Sequence, residues 1–409
     1  KVINSKASLD DQHNYSCFVA MVETLNNRLH DDKLDISDVG LLIIDEAHYN
    51  SFTKLFKFFS KSFLLGVTAT PLSSNINLPM SDNYEELIVG ESISELIKNK
   101  FLAKANLYSY NVGLTSLVVG ANGDYTVKSS EELYTNNDML SKLLLAYEER
   151  CQNRKTLIFN NGISTSLIVY DTFKRAGYDI KHLDNTATKK QRYEILKWFK
   201  NTENAILTSV SILTTGFDEP SVKCIIINRA TKSLTLYYQM IGRGSRIIKN
   251  KNYFELIDLG NNFYRFGEWG SEINWQKIFK NPMNYLDGIM SDEEIEGRFR
   301  YEMPDELKKR FSNSKCLDFN VEETYVNCIK RGDSSKKVLE KAIDHHSLIC
   351  VENSDDEFDA LILVKELGDD INYIIKRYSK CISKSTNNFL DWLTEDYKKR
   401  LRTVSYTHL

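Results

Sequence analysis

The sequence predicts an α/β protein: two parallel-sheet domains, the first of them incomplete, followed by a mostly helical C-terminal extension. Three observations carry this. Across residues 17–70, short apolar runs alternate with segments of helical period, the pattern of βαβ units. A second and longer series of the same kind begins near Leu133 and ends near Ile257. Beyond Phe266 the strand-like runs fade, and residues 292–402 are rich in Glu, Lys, Leu and Ile with long helical windows. The pattern suggests boundaries at 1–105, 106–268 and 269–403.

In chain order, the first series reads as a strand at 17–22, a helix at 23–30, a strand at 39–44, a helix at 52–60 and a strand at 63–68. The second has strands at 156–159, 180–183, 205–208, 222–227 and 253–257. Between them, residues 188–199 place Tyr193, Ile195, Leu196 and Phe199 on one helical stripe.

A chain of 409 residues with 42% hydrophobic and 27% charged residues is neither disordered nor collagenous. Its 53 Lys and Arg against 56 Asp and Glu leave a net charge of -3, so contact with a polyanion must be local. Residues 292–402 hold 20 basic and 24 acidic residues, which excludes a basic arm. The seven cysteines include no C-x-x-C pair, arguing against a disulfide framework and for a reducing cytoplasm. No apolar run approaches the roughly 20 residues of a membrane helix, so no membrane partner is expected. Residue 1 is Lys and the first Met is Met21, so an amino-terminal truncation is expected; residues 404–409 read as an adapter-derived artefact.

The strand Leu41-Leu42-Ile43-Ile44 delivers Asp45-Glu46-Ala47-His48 at its carboxyl end, where ligands bind in open parallel sheets. Asp45 suits the water shell of Mg²⁺, and Glu46 the orientation or deprotonation of an attacking water. Alone, the pair could equally be a solvated acidic turn. Leu64-Leu65-Gly66-Val67 then runs into Thr68-Ala69-Thr70-Pro71, whose hydroxyls could bond His48 and the first carboxylate. In the second series come Gly216-Phe217-Asp218-Glu219-Pro220 and Gln239-Met240-Ile241-Gly242-Arg243-Gly244-Ser245-Arg246. Arg243 and Arg246 are three apart, so on a helix they share a face suited to a transferring phosphate. Thr231 and Ser233 can cap that helix.

D-E-A-H, T-A-T-P, G-F-D-E-P and Q-x-x-G-R-x-x-R, in this order, resemble a superfamily 2 DEAH-type helicase, of the branch that includes type III restriction-enzyme Res subunits and DNA repair helicases. The resemblance covers about residues 17–265. It implies two RecA-like domains closing on ATP and Mg²⁺ while nucleic acid crosses both. Asp45 and Glu46 would be the metal and water carboxylates, and His48 with Thr68 and Thr70 would couple hydrolysis to closure. Gly216 and Asp218 would approach the nucleotide from the second domain, and Gln239, Arg243 and Arg246 would reach its γ-phosphate, with Arg246 the expected finger. Thr24, Asn160, Thr186, Thr208 and Ser209 would contact the nucleic-acid backbone, positioning a strand without reading bases. DNA over RNA follows only from the subfamily resembled.

The sequence departs from the family in one respect. None of the 18 glycines is followed by Lys, so the G-x-x-x-x-G-K-[ST] phosphate loop is missing and this chain alone is expected to be inactive. Two alternatives accompany the helicase reading. One is the motor subunit of a restriction or phage-defence complex, translocating on duplex DNA beside a nuclease or methyltransferase subunit; the other is a non-catalytic nucleic-acid binding module. The aromatic cluster Phe263, Tyr264, Phe266, Trp269 and Trp275 is expected to pack a domain junction rather than stack bases.

Overall fold

The computed structural model describes residues 2–4, 14–31, 34–73, 78–210, 213, 217–249, 251–299, 303–314, 316–382 and 387–407. At the amino end, β1 (Val2–Ile3) pairs in parallel with β2 (Val19–Ala20), and α1 (Val22–His30) follows. β3 (Leu41–Asp45) and β4 (Phe63–Val67) form a second parallel pair, Leu41 opposite Phe63 and Asp45 opposite Val67. Between them, the helix expected at 52–60 shrinks to α2 (Thr53–Phe56), continued by turns in which Phe58 and Phe59 donate to Leu55 and Phe56. Three phenylalanines in four residues, Phe56, Phe58 and Phe59, with poor helix propensity, favour a tight turn that buries Leu55 and Phe59.

One face of the β3–β4 pair is covered. Leu42 and Leu64 pack with Leu29, Leu55 and Phe59, and Ile44 packs with Ala47 and Met80. Here Gly66 is required by space, since a Cβ would fall 2.8 Å from both the Ala47 Cβ and the Tyr84 ring. On the other face, Leu41, Ile43, Phe63, Leu65 and Val67 all point outward, and Phe63 is 82% exposed. Parallel sheets are ordinarily covered on both faces, so this is a continuous apolar patch.

After α3 (Ile93–Lys98), the chain enters a six-stranded sheet. Its strands are β5 (Lys104–Ser109), β6 (Thr156–Asn160), β7 (Ile180–Leu183), β8 (Ile206–Ser209), β9 (Cys224–Asn228) and β10 (Tyr253–Asp258). The order is β5-β10-β9-β6-β8-β7, all parallel. Helices α4 (Val127–Tyr134), α5 (Asn137–Arg150), α6 (Ile163–Arg175), α7 (Lys189–Asn201) and α8 (Leu234–Gly242) complete the crossovers. Alternation along the strands fills two cores. Leu157, Phe159, Leu207 and Ile225 meet Phe199 and Tyr237 on one face; Ile158, Ile206 and Ile226 meet Leu143, Tyr147 and Phe173 on the other. The edge strand β5 has no counterpart in the expected strand list, because Lys-Ala-Asn-Leu-Tyr-Ser lacks an apolar run.

Against the expectation of unpaired cysteines, Cys151 and Cys224 form a disulfide, Cα atoms 5.9 Å apart. Both are buried where the residue after α5 meets the first residue of β9, a proximity that no local spacing announces.

Helices α9 (Asn262–Phe266), α10 (Trp275–Lys280), α11 (Pro282–Leu286) and α12 (Asp292–Gly297) pack on the six-stranded sheet, although the sequence pattern groups most of them with the extension. Phe266 and Trp269 are buried there, with Phe263 and Trp275 against them, so the aromatic cluster packs a junction. α12 is pinned by Asp292, which bonds Arg265 and Tyr125, and by Glu296, which accepts the Thr115 N–H at 2.8 Å. A separate core begins at Met303. It joins α13 (Asp305–Arg310), α14 (Val321–Lys330), α15 (Lys336–Glu352), α16 (Glu357–Glu366), α17 (Gly368–Cys381) and α18 (Asn387–Thr407). No helix among the described residues is long and apolar enough to cross a membrane.

The open β3–β4 face should bind a hydrophobic dye. Replacing Phe63 and Leu65 by Ser is expected to remove roughly half of the anilinonaphthalene-sulfonate fluorescence while the melting transition of the six-stranded sheet stays in place; an unchanged signal would put the dye elsewhere.

Candidate functional site

β3 ends at Asp45, whose Oδ1 accepts the Glu46 N–H at 3.0 Å. Glu46 then adopts a left-handed conformation, φ 52°, costly for a residue with a Cβ and a mark of constrained sites. The kink returns the chain to the ladder, with the Ala47 N–H donating to the Val67 carbonyl at 3.0 Å, and drives the next side chain inward. His48 is therefore 1% exposed. Its Nδ1 lies 2.9 Å from the Thr68 hydroxyl and 3.3 Å from Glu46 Oε2, while Nε2 is buried with no hydrogen-bond partner among the described residues. Burial pushes the imidazole pKa down to about 4, so the ring is neutral at pH 7. Thr68 Oγ1 also accepts the Thr70 N–H at 3.1 Å and donates to the Thr70 carbonyl at 3.2 Å. Thr68 is thus the link between the two strand ends, and Thr70 enters this link through its backbone.

The second sheet brings its groups to the same place from the other side. The Phe217 carbonyl accepts from both arginines, Arg243 Nη1 at 2.5 Å and Arg246 Nη1 at 3.4 Å, and Arg246 is paired with Asp218 at 2.6 Å. The expectation that the two arginines share a helix face is corrected here: α8 stops at Gly242, and Arg246 lies in a bridge with Leu102. Past the helix end the chain lies close against the sheet at Gly244, where a Cβ would fall 2.5 Å from the Phe254 ring and 2.7 Å from Ile225. Gln239 lies half-buried on the last turns of α8, and Gly216 falls outside the described residues.

Electrostatics connect the two halves. Burial, then the adjacent Asp45, raises the Glu46 pKa, and Arg243 works against both. Reciprocally, burial and Arg246 lower the Arg243 pKa, while Glu46 and Asp218 raise it. Glu46 and Arg243 thus each feel the other's charge, though Arg243 itself is bonded to the Phe217 carbonyl. Sequence reasoning missed Lys251, which is buried and donates to the Pro220 carbonyl at 2.9 Å and the Gly244 carbonyl at 2.7 Å, tying the Asp218 loop to the arginine loop. Burial, then Arg246, brings its pKa down to about 8. A lone Lys ahead of a strand carries no signal of such a role.

The residues expected to contact nucleic acid divide. Thr24 is half-buried on α1 and Thr186 is exposed. Asn160, Thr208 and Ser209 are fully buried and bonded among themselves: Asn160 Nδ2 donates to Thr208 Oγ1 at 2.9 Å and to the Ser209 carbonyl at 3.3 Å. The Ser209 hydroxyl turns to the Val210 carbonyl at 2.6 Å.

Comparison with known proteins finds two family descriptions on this chain, type III restriction enzyme, res subunit, over residues 1–73 and helicase conserved C-terminal domain over residues 135–248. Over these two stretches the chain resembles superfamily 2 helicases. Within that class it resembles the Res subunits of restriction enzymes. It is 30% identical over 253 residues to a candidate ATP-dependent helicase of Saccharomyces cerevisiae, IRC3, covering 59% of this chain and 36% of that protein. It is 27% identical over 244 residues to a 51.5 kDa protein of a Lactococcus phage, covering 59% of this chain and 53% of that one. A fragment of a candidate HsdR subunit of a type I restriction enzyme from Vibrio vulnificus YJ016 shares the fold, with TM-score 0.51 at 20% identity over 64% of this chain and 50% of that one. The chain thus spans about a third to a half of the length of the curated relatives it matches.

His48 makes a pH prediction. Its folded pKa of about 4 lies below the ordinary 6.5, so between these values the unfolded chain takes up a proton that the folded chain refuses. Its contribution to stability is complete above pH 6.5 and is lost as the pH falls toward 4. Urea unfolding at pH 7 and pH 5 should show wild type losing about 2 kcal/mol more than His48→Gln over this interval; parallel losses would mean that the ring is not held neutral.

Proposed function

We propose that these residues serve an ATP-dependent helicase or translocase that acts on nucleic acid, DNA in preference to RNA. The observation that carries the reading is the pair of strand-end clusters, Asp45 and Glu46 beside the His48–Thr68 link on one sheet, and Arg243 and Arg246 converging on the Phe217 carbonyl on the other. Carboxylates on one domain and guanidiniums on the other suit hydrolysis that is completed only when the domains meet. Asp45 and Glu46 fit Mg²⁺, a hard cation that keeps several waters and takes one or two carboxylates. When bound, the metal would neutralise charge on the phosphates. Glu46, its pKa raised by burial and by Asp45, is the base for the attacking water. His48, neutral and bonded to Thr68, joins the β3 and β4 ends so that a shift in one reaches the other. Arg243 feels the charge of Glu46 while bonded to the Phe217 carbonyl, whereas Arg246, the finger expected from the family pattern, is held by Asp218 and needs release before it reaches a phosphate.

The triphosphate cradle is a different matter. With no Gly-Lys dipeptide in the 409 residues, the β- and γ-phosphates find no lysine of the usual kind here. The chain by itself is therefore expected to show no ATP turnover above background. Robust turnover that Glu46→Gln abolishes would overturn this.

The match of residues 1–73 to restriction Res subunits favours a second reading, a motor subunit that translocates on duplex DNA beside a nuclease or methyltransferase subunit. A type I restriction endonuclease subunit of Escherichia coli, 23% identical over 262 residues, points the same way.

Fluorescence anisotropy separates these readings. Affinity for a labelled single-stranded 20-mer should fall with salt at a log–log slope near -0.7 per phosphate contacted, with about three to six contacts. Tighter binding to duplex of the same length would favour the restriction motor, and a flat salt response would remove the nucleic-acid reading. In a version carrying a phosphate loop ahead of residue 1, Arg243→Ala should lower hydrolysis by about 10³ with little loss of strand binding. Equal loss of both would sink the assignment.

A further inference from the structure

Asn160, Thr208 and Thr186 belong to one hydrogen-bonded chain along the carboxyl edge of the six-stranded sheet, and its direction can be read link by link. It ends on Asp184. Burial works against ionisation of this carboxyl, yet hydrogen bonds from His182 and Thr186 hold its pKa below the usual range. An ionised carboxylate only accepts, so His182 Nε2, 2.8 Å from Asp184 Oδ2, carries the proton. With the ring proton on Nε2, Nδ1 acts as the acceptor for the Ser166 hydroxyl at 2.9 Å. The Ser166 oxygen accepts from the Thr208 hydroxyl at 2.9 Å, and Thr208 accepts from Asn160 Nδ2 at 2.9 Å. Finally Asn160 Oδ1 accepts from Asn228 Nδ2 at 2.8 Å. Every donor points the same way, and the chain ties β9, β6, β8, α6 and β7 to one carboxylate.

The other oxygen of that carboxylate faces outward. Asp184 Oδ1 accepts both the backbone N–H and the hydroxyl of Thr186, each at 2.7 Å. These two bonds shape the turn into α7, on which Asn185, Thr186, Thr188, Lys189 and Lys190 are exposed. A sheet buried on both faces has no need of such a polar chain for stability, since apolar side chains fill the same space without desolvating amides and hydroxyls. What the chain adds is one orientation, delivered to an exposed turn bearing an amide and two cations.

We propose that His182 is a positioning residue for strand binding: through Asp184 it sets the 185–190 turn against the phosphodiester backbone, while Asn160 and Thr208 act from inside without touching the strand. This rests on the nucleic-acid reading above. His182, Ser166 and Asp184 lie outside the four sequence strings on which the helicase resemblance rests.

The test uses the 409-residue chain and labelled single-stranded dT20 at pH 8, with affinity and salt slope measured by anisotropy. His182→Leu and Ser166→Ala, which cut the chain, should each weaken binding about five- to tenfold and reduce the slope by about 0.7, one phosphate contact. His182→Gln can accept from Ser166 with Oε1 and donate to Asp184 with Nε2, so it should bind within about twofold of wild type. A residue that only supports the fold would lower melting and affinity together, with the slope unchanged and Gln no better than Leu; that result overturns the proposal. If His182→Leu does not fold, the paired change Lys189→Ser and Lys190→Ser on the exposed turn must still lower the slope, and an unchanged slope there overturns it equally. Failure of wild type to bind dT20 at all removes the strand-binding reading itself, which distinguishes the two failures.

Discussion

A parallel sheet buried on both faces leaves no surface along its strands, and this constraint organises the rest of the molecule. Side chains that do chemistry can emerge only where strands end, and the polar groups collected there must be satisfied before any ligand arrives. At the end of β10, buried Asp258 accepts from the Gly260 and Phe263 N–H groups at 3.1 and 2.9 Å and from the Asn262 amide at 2.8 Å. Burial still lifts its pKa to about 6. At the ends of β6, β8 and β9 the corresponding partners are Asn160, Thr208 and Asn228. The loops that leave this edge are then drawn together by single atoms: the Phe217 carbonyl under two guanidiniums, and the Lys251 ammonium under two carbonyls. Each such contact takes a charged group out of water, which is tolerable only because several loops share it.

The β3–β4 pair obeys the same logic with less support. Two strands cannot bury a strand end as six can, and Asp45 is exposed while His48, three residues on, is sealed. The left-handed Glu46 makes that difference. Its carboxylate carries unfavourable burial, an unfavourable neighbour in Asp45 and one favourable charge, Arg243, contributed by the other sheet. Burial outweighs that one favourable charge, so the site holds its carboxylate at a cost that a bound cation would relieve.

The helical extension shows how polar bonds and apolar cores divide tasks. Asp292 and Glu296 hold α12 to the second sheet through Arg265, Tyr125 and Thr115, with Ile295 buried beneath. From Met303 onward the apolar core closes on itself. At its centre His346 bonds Asp370 at 2.6 Å and Tyr397 at 2.9 Å, joining α15, α17 and α18. A buried triad of this kind fixes the mutual register of three helices that apolar contacts alone would allow to slide.

What could be read in advance follows from the same physics. β6 and β9 announced themselves because central strands buried on both faces are largely apolar, whereas the edge strand β5 mixes Lys, Asn and Ser and stayed hidden; the other edge strand, β7, was legible from its buried ends Ile180 and Leu183. The residue types at the site were legible, since D-E-A-H and G-R-x-x-R are short and local, but their directions were not. Nothing in the sequence distinguishes a threonine that faces solvent from one that faces an asparagine, so Thr186 and Thr208 look equivalent as strand contacts although one is exposed and the other fully buried. The end of α8 was misplaced for a related reason. Arg243 and Arg246 have helical spacing, yet the helix ends at Gly242 and the chain runs close against Phe254, on a strand ten residues further along. Directions of this kind depend on partners distant in sequence, and at a strand end those partners decide whether a polar side chain touches a ligand or holds the group that does.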